Sequence, residues 1–237
     1  MNIIITMAGE GARFREIGID VPKHMIEVNG RSLFLWSLSS LQNFFSHQFI
    51  FVTRKSHATR TYIERECEKL GVTRIKILEL DALTSGQAES ALLAKELIGN
   101  TAASTLIYNI DTYVEPEQLV PAHIKGDGWI PVFKAEGDRW SFCTFDASGK
   151  VSQVTEKKRI SEFGTIGLYY FSSFDLFEEC YHRSDHAAYP ERFVAPLYNH
   201  LLRDSRYSVY ADVVPSEAVH VLGTPEDVSA FCPEFGK

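Results

Sequence analysis

Over the first half of the chain, apolar runs of strand length alternate with amphipathic stretches of helical length. The pattern predicts strands over residues 2–8, 48–53, 73–80 and 105–109. Between them it predicts helices over 33–45 (capped by Ser32), 57–70 and 85–98. Strands as uniformly apolar as Ile3-Ile4-Ile5 are buried on both faces, so the expected fold class is α/β: a Rossmann-like mixed sheet, mostly parallel in its N-terminal part, with helices on both faces. From Trp129 onward the pattern becomes that of a meander, with strands expected over 129–135, 141–146, 151–156 and 165–171 and a turn at Asp146-Ala147-Ser148-Gly149. Helices over 173–182 and 192–203, strands over 207–213 and 219–222, and a last helix opened by Thr224-Pro225 complete the expectation. The chain reads as a single domain over 1–237, in two parts over 1–125 and 126–237.

In such sheets ligands bind beyond the carboxyl ends of the strands, and two polar features fall there. One is the loop Ala8-Gly9-Glu10-Gly11-Ala12-Arg13-Phe14, followed by Pro22-Lys23; the other is Asp111, just past the fourth strand. Glycines let a loop turn tightly and offer bare N–H groups to an anion, and Arg13 and Lys23 supply the charge that a polyphosphate needs. A dinucleotide fingerprint is excluded because Phe14 stands where its third glycine belongs, and a Walker loop because Lys23-His24 lacks the following Ser or Thr. An ordinary strand-to-loop turn with surface cations is the plain alternative for the loop alone. Asp111 alone equally suits a turn former, and Glu156-Lys157-Lys158-Arg159 a solvated charge run.

Composition narrows the partners. With 237 residues, 45% of them hydrophobic, the chain can bury a substantial core. A net charge of −7 and the lack of a dense basic run beyond Lys157-Lys158-Arg159 argue against nucleic acid. The apolar start has no basic region before it and is broken by Gly9 and Glu10, so neither a signal peptide nor a membrane span is expected, and the location expected is cytoplasmic. Cys67, Cys143, Cys180 and Cys232 are scattered, as reduced packed thiols would be. The histidines show no ligand spacing and are assigned to surface or packing.

Taken in order along the chain, these segments resemble the nucleotidyltransferases that join a sugar 1-phosphate, or a related phosphorylated small molecule, to a nucleotide. The loop Ala8–Phe14 with Pro22-Lys23 is similar to the family's glycine loop and Pro-Lys motif, Thr84-Ser85-Gly86-Gln87-Ala88 to its base-recognition segment, and Asn109-Ile110-Asp111-Thr112 to its metal-binding Asp. Val154-Thr155-Glu156-Lys157 and Thr165-Ile166-Gly167-Leu168-Tyr169 resemble its substrate segments, and Leu222-Gly223-Thr224-Pro225-Glu226-Asp227 its terminal Gly-Thr-Pro motif. The resemblance implies attack of an acceptor phosphate on the α-phosphorus of an NTP with release of pyrophosphate, in the service of nucleotide sugar synthesis for capsule or other cell-surface polysaccharide. It implies Arg13, Lys23 and Asp111 as catalytic residues and Ala8, Gly9, Glu10, Gly11, Ala12, Gly86, Gln87 and Ala88 as nucleotide-binding. It further implies Glu156, Lys157, Thr165 and Gly167 as acceptor-binding, Mg²⁺ on Asp111, and a possible homo-oligomer. Three departures stand out: Glu10 where the family usually has glycine, Lys158 where it has proline, and Val221 where many members have a second metal-binding Asp. Glu217, on the expected face of the last strand, is the candidate for the missing ligand. With the chain ending soon after the last motif, no C-terminal left-handed β-helix is expected. A nucleotide-sugar-dependent glycosyltransferase and a non-catalytic nucleotide-binding protein remain as alternatives, the first weakened because Asp111-Thr112-Tyr113 is not Asp-x-Asp, the second kept open by Val221.

Overall fold

The computed structural model describes residues 1–235 and centres on a ten-stranded sheet. In the first half, β1 (Asn2–Thr6), the small hairpin β2 (Glu27–Val28) and β3 (Arg31–Ser32), β4 (Gln48–Arg54), β5 (Ile75–Leu80) and β6 (Thr105–Asn109) are joined through α1 (Ala12–Arg15), α2 (Leu33–Ser39), α3 (Arg60–Leu70) and α4 (Gln87–Leu93). β5, β4, β1 and β6 lie side by side in that order, all parallel. The chain thus moves outward from β1 to β5 and then crosses back to the far side of β1. The carboxyl ends of β1 and β6, at Thr6 and Asn109, flank the crevice where this reversal occurs, the place where such sheets bind ligands.

Side chains alternate between the two sheet faces. Ile3 and Ile5 pack with Phe34 and Leu38 of α2 and Ile63 and Cys67 of α3; Ile4 packs on the other face with Ala88 and Ala91 of α4. Helices therefore cover both faces. Three of them are shorter than the hydrophobic pattern predicts, α4 ending at Leu93 and passing into a 3₁₀ turn at Ala94–Leu97. α2 ends at Ser39 and tightens into a 3₁₀ turn at Gln42–Phe44, since a spacing of three keeps Leu38, Leu41 and Phe44 all fully buried. α3 starts at Arg60 because Ala58, at φ 50°, separates it from a 3₁₀ turn at Lys55–His57.

The second half continues the same sheet with β8 (Gly128–Lys134), β9 (Ser141–Phe145), β10 (Val151–Glu156), β11 (Phe163–Thr165), β12 (Leu168–Phe171) and β13 (Val209–Val213). A separate antiparallel pair is formed by β7 (Thr112–Val114) and β14 (Val219–Val221), and the helices are α5 (Phe174–Arg183), α6 (Tyr198–Leu202) and α7 (Pro225–Phe231). The strand expected over 165–171 is broken at Ile166-Gly167. Thr165 faces Val132 of β8 while Tyr170 faces Trp129, so the register slips at the break. On the opposite edge β11 pairs with β9, whereas β12 pairs with β6. The break therefore opens a notch beside the carboxyl end of β6. Gly167 makes it possible: its φ is 81° and a Cβ there would lie 2.2 Å from Asn109 Nδ2.

The helix expected over 192–203 is also cut down. The Arg192 backbone is committed to Ser85 O and Ala88 N, at 2.8 Å each, and Pro196 supplies no N–H, so only a 3₁₀ turn at Ala195–Leu197 and the short α6 form. α7 forms where expected, Thr224 accepting from Asp227 N. All four cysteines are free and buried. No helix among the described residues is long and apolar enough to cross a membrane.

Candidate active site

The crevice at β1 and β6 holds two adjoining cavities of about 420 and 670 Å³. The smaller is lined by the glycine loop, Arg13, Lys23, Asn109, Asp111 and Gly223; the larger extends past Gly86 and Gln87 to Glu156, Lys157, Thr165 and Gly167. Both ends of the expected site thus open into one region, with Thr6, Arg13, Asp111 and Gly223 common to the two cavities.

Lys23 joins the motifs at the smaller end. Its Nζ, largely buried, donates to Asp111 Oδ2 and to Gly223 O, each at 3.0 Å. It lies 5.7 Å from the centre of the Phe14 ring, which packs with Leu222 and Val228 beneath the loop. Gly11, at φ 64°, lets the loop pass so close that a Cβ would meet Lys23 Cβ at 3.3 Å. Arg13 is exposed at the mouth. Glu10 brings a negative charge into the glycine loop; Arg15 at 3.3 Å and Arg54 at 3.2 Å offset it. His24, next to Lys23, is 2% exposed, and burial, together with His57 and Lys23 nearby, lowers its pKa to about 3. It is a neutral packing residue, and its Nε2 has no hydrogen-bond partner.

Toward the base-recognition segment, Gln87 Nε2 donates to Thr6 Oγ1 at 3.2 Å, and Ala88 N is tied to Arg192 O. This fixes the start of α4 against the end of β1. The Asn109 Oδ1 beside Asp111 is buried without a partner.

β7 and β14 place Val221 directly opposite Thr112, so an apolar side chain stands beside Asp111. Glu217 does not replace it. It lies in a 3₁₀ turn, Ser216–Ala218, at the opposite end of β14 from Asp111, where Glu115 N bonds Ala218 O; it is exposed and lines neither cavity. The last strand is too short to include it. The acidic group near Asp111 is instead Asp227, one helical turn beyond Gly223. A Cβ on Gly223 would lie 3.4 Å from Asp227 Oδ2 and 3.7 Å from Asp111 Oδ2. Arg139 holds Asp227 through two hydrogen bonds, at 2.5 and 3.2 Å.

At the acceptor end β10 stops at Glu156, and Lys157 turns into the left-handed region at φ 50°, its N–H bonded to Trp140 O at 2.9 Å. Adjacent residues that a continuing strand would point to opposite faces thus line one cavity. Ser141 Oγ donates to Glu156, whose pKa burial raises against that bond. Thr165 Oγ1 and Tyr169 OH share a hydrogen bond of 2.8 Å. Lys157 Nζ lies 3.5 Å from Glu191 and 4.6 Å from the centre of the Phe193 ring.

Sequence reasoning missed Arg139, Trp140, Glu191, Phe193 and Asp227, all of which line the larger cavity. Asp227 had a local signal, four positions after the motif glycine; the others reach the site only through tertiary packing.

Residues 2–212 match the protein family described as "Nucleotidyl transferase". Mannose-1-phosphate guanylyltransferase catalytic subunit beta of Drosophila melanogaster is 27% identical over 177 residues, 71% of this chain and 47% of that one. The chain thus spans about half the length of that relative. A solved nucleoside-diphosphate-sugar pyrophosphorylase from Vibrio cholerae RC9 is 29% identical and superposes with a TM-score of 0.89, covering 99% of this chain and 100% of the other. The inositol-1-phosphate CTP transferase of T. maritima, at 16% identity and a TM-score of 0.77 over 95% of this chain and 90% of that one, shares the fold. With the glycine loop, Asp111 and Gly223 gathered on Lys23, and the family match running through the elements that place the first two and Lys23, the chain belongs to the nucleotidyl transferase family.

Proposed function

We propose that the chain joins an NTP to a sugar 1-phosphate or similar phosphorylated metabolite and releases pyrophosphate. The observation that carries this reading is one cavity system with a cation at each end, Lys23 among the glycine loop, Asp111 and Gly223, and Lys157 at the notch opened by Gly167. An acceptor phosphate oxygen forms a bond to the α-phosphorus while the bond from that phosphorus to the β-phosphate oxygen breaks in line. Both reactants are anions, so the protein's work is to hold them together and neutralise charge. Arg13 receives the departing pyrophosphate, Lys23 the charge on the transferring group and Lys157 the acceptor phosphate. Thr6-bound Gln87 and the backbone at Gly86 face the base, whereas Ala88, expected there, is fully buried against Ile4 with its N–H given to Arg192 O and lines neither cavity.

Mg²⁺ is typically held by one or two carboxylates together with substrate phosphates. Asp111, facing the cavity, fits that mode, with Asp227 across Gly223 as a further carboxylate, although no group of three metal-binding side chains occurs among the described residues. When bound, the ion would supply charge neutralisation at the phosphates. Such an activity would serve nucleotide sugar synthesis for capsule or other cell-surface polysaccharide from the cytoplasm. The test is a pyrophosphate-release screen of four NTPs against sugar 1-phosphates and other phosphorylated metabolites with Mg²⁺. One productive NTP–acceptor pair is expected; release from none would overturn the proposal.

A further inference from the structure

The acceptor end of the cavity is built around a cation that the protein itself provides. The Lys157 ammonium sits over the Phe193 ring, 4.6 Å from its centre, and 3.5 Å from Glu191. Tyr189 meets Phe193 edge-on at 6.4 Å, and Glu156 is close enough for its charge to act on Tyr189 and to feel both Lys157 and Glu191. One ammonium thus rests on an aromatic ring that a second ring backs, beside one carboxylate and within the field of another.

An aromatic face attracts a cation, more strongly as water is excluded. Two carboxylates beside one ammonium leave an excess of negative charge, and Glu156 is buried enough for that excess to be costly. In the reaction proposed above, Lys157 turns toward the acceptor phosphate. The Phe193 face and Glu191 then lose their cation, and the pair of carboxylates loses its counter-charge. A neutral acceptor would leave this unrepaired, whereas an acceptor with its own cation would restore it. We infer that the acceptor is a phosphomonoester that also carries a protonated amine or quaternary ammonium, its phosphate on Lys157 and its cation between Phe193 and Glu191. The inference rests on the proposed nucleotidyl transfer and specifies the acceptor class for it.

The experiment measures pyrophosphate release by the full chain at neutral pH, with each of the four NTPs, on acceptor pairs that differ in the cation. Phosphocholine is compared with 3,3-dimethylbutyl phosphate, and glucosamine 1-phosphate with glucose 1-phosphate, so the two arms distinguish an amino alcohol from an amino sugar. In at least one pair the cationic member should have a kcat/KM about tenfold or more above its neutral partner. Glu191→Gln should cut that ratio by about tenfold. Glu191 is half-exposed, so the change leaves the core intact. Phe193→Leu, which keeps the apolar bulk, should cut the ratio in the same direction. Equal or better use of the neutral member in both pairs, or a ratio unmoved by Glu191→Gln and Phe193→Leu, overturns the inference while nucleotidyl transfer stands. No pyrophosphate from any combination overturns the transfer itself.

Discussion

The two ends of the cavity are assembled differently. At the nucleotide end a single side chain, Lys23, gathers residues from three distant segments, the glycine loop, Asp111 and Gly223, and it is largely buried while doing so. At the acceptor end Lys157 is half-exposed, set by a left-handed turn, and held by Glu191 and Phe193 from a segment without regular structure. In the proposed reaction the first end serves as an anion cradle, and the second as a cation whose partners are exchanged when a substrate arrives. Binding energy at the first can be spent on the transferring phosphate; at the second it decides which acceptor is used.

The sharpest way to break this comparison is at Lys23. Lys23→Ala should lower turnover by two to four orders of magnitude, about 3–5 kcal/mol of barrier, and Arg13→Ala should act in the same direction. Steady-state kinetics would check both, and activity within a few-fold of the parent would remove that residue from the cradle. Asp111→Asn should come next, with a loss of roughly a hundredfold or more and of Mg²⁺ dependence, because an amide is a poor ligand for a hard dication. A metal titration of the variant gives the answer, and an unchanged Mg²⁺ midpoint would reduce Asp111 to a turn residue.

How much of this was legible in the sequence follows the same division. That β1, β4, β5 and β6 are parallel, with the glycine loop and Asp111 at one crevice, followed from apolar runs, because buried strands announce themselves by composition, whereas their order did not. That β10 would end by Lys157 followed from the need for Glu156 and Lys157 to share a cavity. The break at Gly167 and the truncated helix after Arg192 were not legible: one depends on Asn109 lying against Gly167, the other on the backbone of Ser85 and Ala88. Glu217 was misplaced for another reason: the last strand was expected to begin at Val219, as β14 does, so its alternation of faces does not extend back to residue 217, which lies in the 3₁₀ turn before it. Contacts made by a segment's backbone with a remote segment leave no periodic trace.

The acceptor end should respond more mildly and more selectively. Lys157→Ala should lower kcat/KM for the acceptor by roughly ten- to a hundredfold, while the Kd for NTP, measured by calorimetry without acceptor, stays within about twofold. Equal weakening of NTP binding would merge the two ends into one. A last effect, on stability and not on turnover, belongs to His24 beneath the nucleotide cradle. Its pKa is depressed in the folded chain, so between about pH 6.5 and about pH 3 the unfolded chain takes up a proton that the folded chain does not. Stability should therefore fall as the pH is lowered through that window, with a slope from this residue of up to about 1.4 kcal/mol per pH unit. Urea unfolding across the window should show a shallower slope for His24→Met, and an unchanged slope would mean that His24 is not held neutral.

The central claim is direct transfer between two bound anions, with no nucleophile on the protein. It is tested most directly by following a phosphorus label on the α-phosphate of the NTP during turnover with an acceptor. The account predicts that the label appears in the joined nucleotide product, that unlabelled pyrophosphate is released, and that no label stays on the denatured protein. Label recovered in a covalent protein adduct, or product formed without it, would contradict the account.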